Sequence, residues 1–184
     1  MLQEGKFNGR KLYTAMLPDE PTSTWCNLVL HNRARPKAVF ILWLMCHGRL
    51  ATRMRLHRLG LITNTQCVFC ASDETLDHLF FGCLVSKQIW CKVLDWLGVV
   101  HAPQDWSMEL QWLIRRYHGK GWRADLMRLA LAETVYAVWH LRNEICYGNN
   151  VNNRDIDENI INMIVYRGWT SPKLRPHIAN LLLP

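Results

Sequence analysis

The sequence predicts a mostly α-helical domain organised around one short cysteine-rich loop. Three observations carry this. Apolar residues recur at helical spacings along most of the chain, between glycines and prolines that stop and start them. Strand-like alternation is weak. Cys67, Cys70, His78 and Cys83 form the spacing C-x2-C-x7-H-x4-C within a turn-rich span.

In order, residues 1–24 are polar and loop-like, with one apolar patch from Leu12 to Leu17, closed by Pro18 and Pro21. Trp25 to Leu30 is one or two helical turns. Pro36 suits the first position of a helix. That helix runs through Met45, is apolar on nearly every face, and is expected to be the central buried helix; Gly48 ends it. Thr52 caps a second helix, Arg53 to Leu59, stopped by Gly60, with Leu56 and Leu59 on a packed face and Arg55 and Arg58 on another. After the loop, Val85, Ile89, Val93 and Trp96 fall at spacings of four, four and three, and Gly98 ends their helix. Trp106 to Tyr117 and Trp122 to Tyr147 follow, the latter the longest helical pattern. Asn153 caps a last helix, Arg154 to Arg167, whose early Asp155, Asp157 and Glu158 suit its positive end. Pro172 and Pro176 mark an irregular tail.

The loop has a specific chemistry. Thiolates and imidazole are preferred ligands of Zn²⁺, and C-x-x-C brings two thiolates to one metal from a single turn. Four protein ligands leave no position for water, so one structural zinc ion is expected at Cys67, Cys70, His78 and Cys83. Asp73 is read as the N-cap of a short helix with Glu74 and Asp77 in its first turn. His78 projects from that helix, and Gly82 stops it before Cys83. The plain alternative is three ordinary thiols and a surface histidine; their close spacing favours the metal. A thioredoxin-like pair needs a strand before Cys67, which Asn64-Thr65-Gln66 does not supply. A zinc deaminase needs H-x-E, and His78-Leu79-Phe80 lacks the glutamate. A two-zinc RING-like fold needs four more ligands. No enzyme is expected.

Nearly half of the 184 residues are hydrophobic, nine of them Trp, which suffices for a core. The longest apolar stretch, around Val39 to Cys46, is far shorter than the roughly 20 residues of a membrane span, and Met1 opens no secretory signal pattern. Cys26, Cys46, Cys91 and Cys146 read as free thiols, which points to an intracellular setting, nuclear or cytoplasmic. The charge is uneven. Between Pro21 and Ser72 lie Arg33, Arg35, Lys37, Arg49, Arg53, Arg55 and Arg58, with no Asp or Glu. The chain has 22 basic and 15 acidic residues, so these seven account for the whole net charge of +7. Such a surplus is the footprint of a polyanion, and these residues are the candidate DNA or RNA contacts. The alternatives are a solvated helix face, or cations gathered around a metal site made negative by three thiolates.

These residues also resemble a family. Arg35-Pro36-Lys37, Phe40, Trp43, Gly48-Arg49-Leu50-Ala51-Thr52, Leu59-Gly60, the four ligands, Glu74-Thr75 and Ile89-Trp90 resemble the zinc-binding domain of plant non-LTR retrotransposon reverse transcriptases. Gly5-Lys6-Phe7, Lys11-Leu12-Tyr13, Trp139 and Arg142-Asn143 resemble its flanks. The resemblance implies zinc at Cys67, Cys70, His78 and Cys83 and nucleic-acid binding beside a polymerase. The adjacent Asp-Asp pair that holds catalytic Mg²⁺ in such polymerases is missing. The retroviral zinc knuckle spaces its third ligand at x4, so its mechanism does not carry over. The expected organisation is an N-terminal extension (1–35), the zinc-binding domain (36–98), a helical extension (99–170) and a tail (171–184). The expected role is a non-catalytic module that binds nucleic acid. The alternative is a zinc-stabilised module docking a reverse transcriptase or host protein, with Trp106, Trp112, Trp122 and Trp169 as its surface. No membrane or small-molecule partner is expected.

Overall fold

A computed structural model describes residues 24–148 and 155–182. Among them the chain is helical, with no strand and one isolated antiparallel bridge, Gln66 to Asp73. The helices are α1 (Cys26–Val29), α2 (Pro36–Cys46), α3 (Arg53–Arg58), α4 (Leu84–Trp96), α5 (Trp106–Tyr117), α6 (Trp122–Cys146), α7 (Ile156–Trp169) and α8 (Arg175–Leu181). A wide π turn, His78–Gly82, precedes α4. No helix among the described residues is long and apolar enough to cross a membrane.

The central helix is α6, not α2. Every residue of α6 from Leu126 to Val135 is buried, because α2, α5 and α7 pack around it. The α2 helix buries only Ala38, Leu42 and Met45, on its α6 side. Val39, Ile41, Leu44 and Cys46 are half-buried against the core, and Phe40 and Trp43 face outward, 56 % and 38 % exposed. Apolar content alone did not tell a helix wrapped by neighbours from one with an aromatic outer face.

Pro36 sits in the first turn of α2 as expected, and Gly48, Gly60, Gly98 and Gly148 follow helix ends with positive φ. Thr52 caps α3, its hydroxyl accepting from Arg55 N. The expected packed face of α3 is absent: no residue of this helix is buried, and Leu59 lies in the open. Asp105 caps α5, accepting from Met108 N at 3.0 Å. The tail differs from the irregular expectation. Pro176 opens α8, where a missing N–H costs nothing, and Ile178 packs on Gly168 of α7. The proposed cap Asn153, the start at Arg154 and the patch from Leu12 to Leu17 lie outside the described residues.

Two ion pairs to buried carboxylates tie the early chain to α6. Arg35 donates from Nε and Nη2 to Glu133 Oε2, at 2.8 and 2.6 Å, and lies over the Tyr136 ring. Arg142 donates to Glu74 in the cysteine loop, with Nη2 to Oε1 at 2.7 Å.

Candidate metal centre

The loop between α3 and the π turn is short and folds back on itself. Cys67 N donates to Ser72 O at 2.7 Å, and Glu74 N donates to Thr65 O at 2.8 Å. This closes a knuckle that carries Cys67 and Cys70. Asp73 does not cap the following turn, because its backbone is held in the bridge and its carboxylate accepts from Thr65 Oγ1. Thr75 takes that role, its hydroxyl accepting from His78 N at 3.0 Å.

The turn from His78 then widens. Cys83 N donates to His78 O at 2.6 Å, a bond spanning five residues rather than four. Gly82 is not a left-handed stop here; a Cβ at this position would approach the Asp77 carbonyl oxygen to 3.1 Å. Leu79, Phe80 and Phe81 are fully buried and anchor the turn. Phe81 packs against Trp90 of α4 and Trp106 of α5, and Phe80 against Trp139 of α6.

These two pieces bring all four expected residues together. One ligand atom from each of Cys67, Cys70, His78 and Cys83 lies within 4.8 Å of the others. Cys70 Sγ is 3.2 Å from His78 Nε2 and 3.9 Å from Cys83 Sγ. Cys67 and Cys83 are buried, while Cys70 lies outermost. Contact with Cys83, and then burial, raises the Cys67 thiol; the same contact lowers Cys83. Three sulfurs and one imidazole nitrogen are the donor set that tetrahedral Zn²⁺ takes, and binding would displace the shared thiol protons. All seven cysteines are free; burial pushes the Cys46 thiol up to about 12.

Glu74 is the site residue that spacing alone did not single out. It is fully buried, and its Oε1 also accepts from Arg53 N at 2.7 Å, so one carboxylate holds the start of α3 and Arg142 of α6. An acid flanked by ligands, in a loop otherwise poor in apolar residues, was the available signal.

The seven candidate nucleic-acid contacts do not share one environment. Arg35 is occupied by Glu133, and Arg33 lies 4.0 Å from Asp125. Arg53 donates from Nη1 to Gln66 O, next to Cys67, and from Nη2 to Cys146 Sγ. Arg55 donates to Gly48 O at 3.1 Å. Lys37, Arg49 and Arg58 are exposed and have no carboxylate partner among the described residues. Of the four tryptophans expected at a docking surface, Trp106 is buried, Trp112 stacks on His101, Trp122 stacks on His177, and Trp169 alone is exposed.

Fold and site together define a helical domain built on a Cys₃His loop able to hold a metal. Residues 7–90 match the family described as zinc-binding in reverse transcriptase. The match ends within α4 and begins before Pro36, in residues outside the described part. The family describes an accessory zinc-binding domain, not the polymerase. Neither the curated proteins nor the solved structures include a match.

Proposed function

We propose that this chain is a zinc-stabilised, non-catalytic nucleic-acid-binding module derived from a retrotransposon reverse transcriptase polyprotein. Cys67, Cys70, His78 and Cys83 hold one structural Zn²⁺. The observation that carries this is the convergence of their four ligand atoms within 4.8 Å, on two pieces of backbone fixed independently of each other. A set of four protein ligands leaves the metal no water to activate. Lys37, Arg49 and Arg58 contact phosphates, and Arg53 and Arg55 extend the surface with their remaining N–H groups. Arg35 serves the fold instead, through Glu133. The burial and stacking of Trp106, Trp112 and Trp122 speak against the alternative docking surface.

The test is zinc content together with binding of labelled RNA and DNA across a salt series. One zinc per chain is expected, lost in Cys67→Ser. The logarithm of affinity should fall linearly with that of salt, and Arg49→Glu with Arg58→Glu should weaken all sequences alike. A wild type without stoichiometric zinc overturns the metal reading; undetectable or salt-insensitive binding to both polymers overturns the nucleic-acid reading.

A further inference from the structure

The outer face of α2 carries an aromatic row that the core does not use. Phe40, Trp43 and His47 follow Lys37 at spacings of three, three and four residues, so all four share one side of the helix. The opposite side, Ala38, Leu42 and Met45, is buried on α6. The Phe40 and Trp43 rings are nearly parallel, with centroids 5.9 Å apart and planes at 18°. Trp43 and His47 are 4.4 Å apart, and Trp25 meets His47 edge-on at 4.7 Å. His47 Nδ1 bonds Trp43 O at 2.9 Å, which sets the ring beside its neighbour. From Phe40 to His47 the row is about 10 Å long at the α-helical rise.

Exposed aromatic rings of this size normally go into a core or a contact. The surroundings say which contact. Lys37 is exposed at one end of the row, Arg49 is exposed two residues beyond the other, and no acid occurs anywhere from Pro21 to Ser72. A face of π surfaces bounded by cations suits an anionic chain of flat rings. In a duplex those rings are already stacked on each other, so only an unpaired strand offers them.

We infer that the outer face of α2 is a stacking platform for single-stranded nucleic acid: bases stack on Phe40 and Trp43, while Lys37 and Arg49 take the flanking phosphates. This rests on the nucleic-acid reading above and adds to it the strandedness of the ligand and the side chains that sense it.

The test uses the full zinc-loaded chain with a uridine homopolymer, a thymidine homopolymer and a duplex of matched length. Phe40→Ala with Trp43→Ala should weaken both single strands by roughly tenfold or more. It should leave duplex binding and the salt slope unchanged. Arg49→Gln with Arg58→Gln should weaken all three ligands and flatten the slope. If the arginine variant weakens binding and the aromatic variant does not, the platform is overturned and the nucleic-acid reading stands. Equal loss on duplex and single strand from the aromatic variant overturns it too. So does a wild type that self-associates through this face, with the aromatic variant monomeric and binding as before. If the wild type binds none of the three ligands, both readings fall. Should the aromatic variant lose zinc or helicity, photo-crosslinking of a 5-iodouridine strand to the wild type decides: adducts at Trp43 or Phe40 support the platform, and adducts only elsewhere overturn it.

Discussion

Glu74 receives donors from two separate helices inside a volume without solvent. Arg53 N reaches it from the start of α3, and the Arg142 guanidinium reaches it from α6. Two opposite charges in that position cost several kcal/mol each to desolvate, and their attraction offsets the cost only while both are present. Glu74→Gln should therefore lower the unfolding free energy by about 3 kcal/mol or more, since it leaves a buried guanidinium without its counter-charge. Urea unfolding of the zinc-loaded variant measures this. A loss under about 1 kcal/mol would mean that Arg142 escapes to solvent or to Asn143 Oδ1, which it already reaches at 2.9 Å.

At the scale of elements, α3 and the cysteine loop form the part of the chain with the least apolar support. No residue of α3 is buried, and the loop is closed by a few backbone bonds. Removing the metal should cost the Cys67 to Thr75 segment its amide protection, while α6 and α7 keep theirs. Hydrogen exchange with and without chelator measures it; loss throughout the chain would show that loop and helices unfold as one. Gly168 illustrates a different contact. A Cβ there would lie 2.6 Å from Ile178 Cγ1, within a fully buried packing of α8 on α7. Helix propensity favours Gly168→Ala by about 1 kcal/mol, and overpacking costs about 1–3 kcal/mol. The melting temperature should fall, and Ile178→Val in the same chain should recover part of it. The helices themselves were legible in the sequence, because glycines and periodic apolar residues mark them one turn at a time. The α8 helix was not, since a proline read as a breaker also serves as a first-turn residue. The rank of α2 and α6 was not legible either, because burial depends on which neighbours arrive.

At the scale of the whole molecule, the same distinction governs charge. The clustering of Cys67, Cys70, His78 and Cys83 was readable because they lie within 17 residues of chain and local backbone brings them together. The basic span was only half readable. Its excess is real in the count, yet Arg35 and Arg33 meet Glu133 and Asp125, which lie outside the span and share α6. A tally along the chain cannot see such pairings. The cations with no carboxylate partner among the described residues, Lys37, Arg49 and Arg58, are the ones left exposed.

The wide turn at His78–Gly82 makes the spacing of the last two ligands a matter of arithmetic. Residues five apart on an ordinary α-helix point about 140° away from each other. The five-residue bond from Cys83 N to His78 O takes up that difference. Chain length between them is thus fixed along with the ligands themselves. Losing one residue from 79–82 would remove that five-residue bond and change where His78 stands relative to Cys83. Such a segment is held in its length by the bond and in its letters by the burial of Leu79, Phe80 and Phe81 and the tight fit at Gly82.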